Sequence, residues 1–468
     1  MNIYQWRIWL IERKLRTLGG IMAKYIWIFS ERYKIYDPYK LAWLVFLIIS
    51  RPAHTFLFLA NIHNKKRRKI FLLMDEGDKR FELLSLKLRG PEAEVYWMPK
   101  QLLDYWAKIH FNDWYIYYRE NLDPQKSDRY VNPLKRYWHK DNTENRSEYF
   151  EKCKKYITAS KSLFSINEII LASADDTINF ELINACNILE IKTVLCEREG
   201  THTETVSEIL ATSYIETNRL NLREIYCANE IHLKCYEQAS DRTTKLMLIG
   251  ELRSDYWRYR SFPNKINKYK SKFKNKKLLT FLAFGERNYI EPMYHKDLIG
   301  NWNNLRADIE EILYELIRDN EDLVVVYKLG HREDYFKDSL DKFKNWKNSR
   351  FFDLDRAVDA SELMNISNCV IGFQSTATVE ALFYDAKVLY PYWAIPASLN
   401  PEKDMLPLHK YEKAFVVCRS KEKLKEEILE ALGSNFSIEN RQHRDEVINK
   451  YFYEAGNVAD RLARELLI

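Results

Sequence analysis

Residues 372–383, GFQSTATVEALF, set a glycine, three hydroxyl side chains and a carboxylate at fixed steps along the chain. A strand is expected to end near Phe373 and a helix to begin near Ser375. Ser375 is a good N-cap, because its hydroxyl can accept from an early backbone N–H. Val379, Leu382, Phe383 and Ala386 fall on one helix face and should pack on a sheet. Thr376 and Glu380 are four apart and share another face. Such a start exposes free N–H groups, the positive end of a dipole and two hydroxyls, a combination suited to an anion. Glu380, about one turn deeper, can accept from two vicinal ribose hydroxyls. A diphosphate at the hydroxyls and a ribose at the carboxylate make a nucleotide site. The same residues also fit a plain capped junction with a surface carboxylate.

The elements that must position these residues are legible around them. From residue 69 onward, short apolar runs alternate with longer helical stretches. The runs are 69–75, 93–99, 168–175, 191–197, 224–230 and 245–251, then 277–284, 323–329, 350–355, 369–373, 387–393 and 414–420. Each is nearly continuous in apolar character, as strands buried on both faces are. Residues 179–190 and 305–320 show the i, i+3, i+4, i+7 spacing of amphipathic helices. This alternation predicts an α/β protein with parallel sheets. Residues 258–277 are basic and polar and read as a linker. The expected division is a helical extension (1–68), a first Rossmann-like domain (69–262) and a second (263–468). Residues 100–165 are rich in Tyr, Trp and charge and have no assigned place beyond helical insertions. The last helix, from about residue 440, is expected to cross back to the first domain.

The whole chain narrows the function classes. At 468 residues and 46% hydrophobic content it exceeds one ordinary core. Charged residues, 30% of the total, are well mixed, unlike those of a disordered chain. A net charge of +6 is too mild to argue for nucleic acid. Seven scattered cysteines, without a C-x-x-C pair or zinc spacing, read as reduced thiols of a cytosolic protein. The sequence holds no Walker loop, no G-x-G-x-x-G and no H-E-x-x-H. Arg7, Glu12, Arg13, Lys14 and Arg16 interrupt any signal-peptide core. LAWLVFLIIS (41–50) is shorter than the roughly 20 residues a membrane span needs. It fits a buried helix as well as an interfacial segment. Trp6, Trp9, Tyr25 and Trp27 interleaved with basic residues, and KKRRK at 65–69, suit an anionic membrane surface. They suit equally an extension packed on the main body.

NCVIGFQSTATVEALFYDAKVLYPYW (368–393) resembles the donor-site segment of GT-B glycosyltransferases, an S-T-x-x-x-E-A run followed by a turn and a strand. More narrowly, the chain resembles bacterial surface carbohydrate biosynthesis proteins, related to CDP-glycerol glycerophosphotransferases and capsule Kdo transferases. EREGTHTE (197–204), LMLIGELRSDYW (246–257), LTFLAFGERN (279–288) and VVVYKLGHREDYF (324–336) follow the family's order. The resemblance spans about residues 69 to 450. Leu252 stands where the pattern has Pro, and neither Pro of the Arg-Pro-His-Pro turn surrounds His331. The catalytic His of some relatives is therefore not transferred to this chain.

The resemblance implies a GT-B-like fold and metal-independent transfer from a nucleotide-sugar donor, with no cofactor, to a glycan or lipid-linked acceptor. It assigns Gln374, Ser375 and Thr376 to the phosphates and Glu380 to the ribose. Lys328 and His331 are candidates to neutralise the leaving group, and Gly285 to let backbone approach the phosphates. An inverting transfer needs a general base from the first domain. Glu199 ranks first, then Asp75 or Glu76; Asp175, Asp176 and Glu204 lie at similar strand ends, and any of these also suits a cap or a solvated loop. DLD (353–355) matches the D-x-D of metal-dependent GT-A enzymes but ends a strand of the wrong fold. The resemblance places such an enzyme at the inner face of the cell membrane. A non-hydrolysing nucleotide-sugar 2-epimerase shares the fold and is the alternative enzyme; a non-catalytic nucleotide-binding scaffold is the alternative outside enzymes.

Overall fold

The computed structural model describes residues 3–34, 37–50, 69–73, 84, 87–88, 93–98, 100–111, 143–172, 177–197, 201–217, 220–258, 276–284, 301–328, 351–353, 360–396, 399–433 and 441–468. Each apolar run named above carries a strand. They are β1 (Lys69–Leu73), β2 (Ala93–Trp97), β3 (Glu168–Leu171), β4 (Lys192–Cys196), β5 (Glu224–Cys227), β6 (Lys245–Leu248), β7 (Lys277–Leu282), β8 (Leu323–Lys328), β9 (Phe351–Asp353), β10 (Cys369–Ile371), β11 (Lys387–Pro391) and β12 (Val416–Cys418). The helices are α1 (Ile3–Arg32), α2 (Pro38–Ser50), α3 (Lys100–His110), α4 (Thr143–Phe164), α5 (Thr177–Ile188), α6 (Glu204–Thr217), α7 (Glu230–Ala239), α8 (Arg253–Arg258), α9 (Asn301–Asp319), α10 (Ala360–Met364), α11 (Thr376–Glu380), α12 (Lys421–Gly433), α13 (Arg441–Phe452) and α14 (Val458–Leu467).

The strands form two six-stranded sheets, ordered β2-β1-β3-β4-β5-β6 and β12-β11-β10-β7-β8-β9. Every pairing among them is parallel. Parallel neighbours need a crossover, and helices supply it on both faces, which is why the strands are apolar throughout. The order reverses between β1 and β3 in the first sheet and between β7 and β10 in the second. Such switch points are where open α/β sheets admit ligands, beyond the carboxyl ends of the strands.

Each sheet has its own core. The first gathers Ile169, Ile170, Val194, Leu195 and Ile225 with Trp27, Trp43 and Trp106. The second gathers Leu279, Phe281, Val325, Val370 and Leu389 with Leu305, Ile309, Leu313 and Leu316 of α9. The periodic spacing read over 305–320 thus lies on a helix whose apolar stripe is buried.

LAWLVFLIIS lies in α2, and it is packed. Ala42, Trp43 and Phe46 are buried, and the Trp43 ring stacks on Tyr156 of α4 at 4.9 Å. Trp27 of α1 meets Trp106 of α3 edge-on at 5.2 Å. Residues 100–111 and 143–164, unplaced from sequence, are the α3 and α4 walls of this core. Among the described residues no helix is long and apolar enough to cross a membrane. The outer face of α1 is unusual: Leu18, Ile21, Met22, Tyr25 and Phe29, with Tyr33 just beyond, are exposed.

The chain does return to the first sheet, later than expected. α13 belongs to the second core through Val447, Ile448, Tyr451 and Phe452. Among the described residues only α14 crosses over, placing Val458, Leu462 and Leu466 in the first core.

Candidate functional site

The turn after β10 is built by three local devices. Gly372 comes first: a Cβ there would lie 2.5 Å from Thr378 Oγ1, so only glycine lets the strand end meet the next helix. Gln374 follows with φ +39°, a left-handed conformation that side chains other than glycine rarely adopt. Its amide holds the strain. Nε2 donates to Tyr390 Oη at 2.6 Å and Leu406 O at 2.9 Å, and Oε1 accepts from Leu406 N at 2.7 Å. Ser375 then caps α11, its Oγ accepting from Thr378 N at 3.2 Å.

The helix is much shorter than its apolar spacing predicts. α11 ends at Glu380 and tightens into one 3₁₀ turn, Ala381–Phe383. Ala386 lies beyond both, immediately before β11. The reason is tertiary: Arg444 of α13 donates to Tyr384 O at 2.8 Å and Ala386 O at 2.9 Å, holding the chain on course for β11. Val379, Leu382, Phe383 and Ala386 are nevertheless buried as expected. Ser375, Thr376 and Ala377 stay half-exposed at the start of the helix.

This turn meets the first body. Thr376 Oγ1 lies 2.5 Å from Thr201 Oγ1, in the segment between β4 and α6. Glu380, 6% exposed, accepts from Arg253 Nη2 of α8 at 3.0 Å. The Arg253 guanidinium also lies over the Trp257 ring, 5.3 Å from its centroid. Its backbone N–H donates to the buried Glu251 carboxylate at 3.3 Å. Nearby, Thr205 Oγ1 donates to Asp404 Oδ1 at 2.6 Å, and Asn229 Nδ2 donates to Tyr451 O at 2.9 Å. Polar side chains thus tie the two bodies around the α11 start.

GELRSD, read from sequence as part of a donor-enzyme pattern, is the joint that receives the returning chain. Gly250 has φ +103°, and a Cβ there would lie 2.5 Å from Tyr453 O. Leu252, the residue in place of Pro, is buried in the first core. Ser254 Oγ accepts from Gly456 N at 3.2 Å. Asp255 accepts from Val458 N and Ala459 N, both at 2.8 Å, and so closes the first turn of α14.

The sequence-assigned residues fall in different places. Ser375, Thr376 and Glu380 are brought together at the junction of the bodies. Gln374 is at the same turn, with its side-chain amide held inside by Tyr390 and Leu406. Lys328 ends β8, two strands from β10 on the same sheet edge, and is half-buried. Glu199, Asp75, Glu76, His331, Gly285, Asp175 and Asp176 lie outside the described residues. Glu204 is the exposed first residue of α6. Asp353 ends β9, and Asp355 lies outside the described residues. Among the described residues no three His, Cys, Asp or Glu side chains could hold a metal ion.

Sequence reasoning missed three residues here. Arg253 lies within GELRSD, where the sequence alone gives it no role. Thr201 carries no local signal. His232, on the first turn of α7, is 1% exposed, and among the described residues neither ring nitrogen has a hydrogen-bond partner. The His202 ring lies 4.3 Å from it. Burial, helped by His202, holds His232 well below the usual histidine range, so it is neutral. Glu197, at the end of β4, accepts from the Tyr236 hydroxyl. Burial, with Glu197 beside it, holds that hydroxyl well above the usual tyrosine range.

No protein-family model matches the chain. No curated protein matches it in sequence. Solved structures do match in shape. UDP-GlcNAc 2-epimerase from Neisseria meningitidis, bound to UDP-GlcNAc, is similar with a TM-score of 0.52 at 14% identity, covering 86% of this chain and 99% of its own. UDP-GlcNAc 2-epimerase from Methanocaldococcus jannaschii gives 0.51 at 12% identity, covering 85% and 99%. Together with the two strand orders, this likeness gives the fold: the chain is an α/β protein of GT-B-like architecture, built on two Rossmann-like parallel sheets.

Proposed function

We propose that this chain is a nucleotide-sugar-processing enzyme that binds its substrate where the two bodies meet. One observation carries the reading. The hydroxyl-bearing turn at Ser375 and Thr376 follows β10 at the switch in strand order, with Thr201 of the other body 2.5 Å from Thr376. A diphosphate there takes hydrogen bonds from the hydroxyls and early amides, and the ribose takes Glu380. Arg253, which pairs with Glu380 Oε1 at this junction, is the cation that can turn to the diphosphate. The guanidinium exchanges a carboxylate for phosphate oxygens, a pairing it makes equally well.

Epimerisation at a sugar carbon is the better supported reaction, because the similar folds are UDP-GlcNAc 2-epimerases. It requires a base to remove a proton from carbon. Glu199, Asp75 and Glu76 remain the candidates on the first body. Transfer to a glycan or lipid-linked acceptor is the second reading, favoured by the apolar outer face of α1, a feature suited to a surface-bound acceptor.

The test is incubation with UDP-sugars, followed by NMR of the sugar nucleotide. A new epimer formed without acceptor supports epimerisation. UDP released only when a glycan or lipid-linked acceptor is added supports transfer. Binding without either product points to a scaffold. Melting curves supply the binding measure, since ligand at ~100 times its dissociation constant adds ~2.7 kcal/mol. Glu380→Ala should lose at least about tenfold in UDP affinity. Unchanged affinity in that variant removes Glu380 from the site, and no stabilisation by any nucleotide overturns the proposal.

A further inference from the structure

Among the described residues α1 has two apolar faces, one packed inside the molecule and the other exposed. Its inner face consists of Gly19, Gly20, Ala23, Trp27 and Ser30, all buried. The glycines let neighbouring helices approach closely: a Cβ on Gly19 would lie 3.0 Å from Phe46 O, and one on Gly20 would collide with Gln101. The outer face repeats Leu18, Ile21, Met22, Tyr25 and Phe29 at three- and four-residue steps, and Tyr33 continues the row. Exposure along it runs from 40% at Met22 to 59% at Tyr25 and Tyr33. A helix lying on a water-exposed surface carries polar residues there instead. The whole helix holds six basic residues against two acidic ones. Arg32 sits against Tyr33, 5.9 Å from the ring centroid, and Lys24 lies between Tyr25 at 5.4 Å and Tyr105 of α3 at 5.0 Å.

We infer that this face docks on an anionic lipid bilayer. The row of Leu, Ile and Met inserts among acyl chains, Tyr25 and Tyr33 lie at headgroup depth, and the basic excess meets the lipid phosphates. Aromatic rings with a polar tip favour that depth. The helix lies on the surface and does not cross it, because its inner face is committed to α2 and α3. This is narrower than the sequence expectation: Trp27, counted there toward a membrane surface, is buried against Trp106 and belongs to the core.

The experiment is flotation of the full chain with vesicles of phosphatidylcholine alone, or of phosphatidylcholine with phosphatidylglycerol, at low and high salt. A Tyr25→Glu/Phe29→Glu variant is run beside it. Both positions are exposed, and circular dichroism checks that the variant folds. The expected result is flotation with the anionic vesicles, weakened by salt and reduced at least about tenfold in the variant. Equal flotation with neutral vesicles overturns the role of charge. Absence of flotation, or a variant that floats as well as the parent, overturns the proposal. So does light scattering that shows a dimer dispersed by the same substitutions without vesicle binding, which would give the face to a second copy.

Discussion

Single side chains at the junction do work that their types alone do not announce. Gln374 has an amide suited to a phosphate, yet it holds a left-handed backbone in place through three hydrogen bonds to Tyr390 and Leu406. Burying those groups without the amide would cost about 1–3 kcal/mol each. His232 is the opposite case, a buried polar ring with no hydrogen-bond partner among the described residues. Its folded form resists protonation, whereas the unfolded chain takes the proton near pH 6.5. The unfolded state therefore binds more protons below that value. Stability from this residue is complete above it and is lost as pH falls, by up to about 1.4 kcal/mol per pH unit. Urea unfolding at about pH 7.5 and about pH 5.5 should show the loss. In His232→Phe the drop should shrink by about 1 kcal/mol. An equal drop in both proteins would remove His232 as the source of the slope.

At the level of elements, short pieces are controlled by distant caps. α11 is one turn long because Arg444 grips the carbonyls that follow it. α14 starts where it does because Asp255 accepts from two of its first amides at 2.8 Å. Asp255→Ala removes that cap and should lower stability by about 1–2 kcal/mol in urea unfolding. Asp255→Asn keeps one acceptor oxygen and should lose less. An alanine variant as stable as the parent would show that water can replace the carboxylate. The apolar spacing of residues 376–386 correctly selected the buried face. It overestimated the helix, because a face can be read from local periodicity and a grip from α13 cannot.

Over the whole molecule, the two sheets are joined by a segment that leaves and returns. Val458, Leu462 and Leu466 of α14 fill the first core although they follow the second in sequence. Removing residues 457–468 should weaken the first body by roughly 5 kcal/mol, at about 1.5–3 kcal/mol for each large apolar side chain uncovered. Calorimetry should then separate a lower transition from that of the second body, whose core keeps α13. A single unchanged transition would show that α14 contributes little. The parallel α/β class, the position of every described strand and the capping role of Ser375 were determined by the sequence itself. They follow from local rules: apolar runs bury, hydroxyls cap, and alternation of strand and helix makes sheets parallel. Only the tertiary structure decided which partner each polar side chain takes. Arg253 meets Glu380 across 127 positions, Gln374 meets Leu406 across 32, and Asp255 meets Val458 across 203. Such pairs form because folding leaves buried donors and acceptors that must find one another, and no pattern of neighbouring residues encodes that choice.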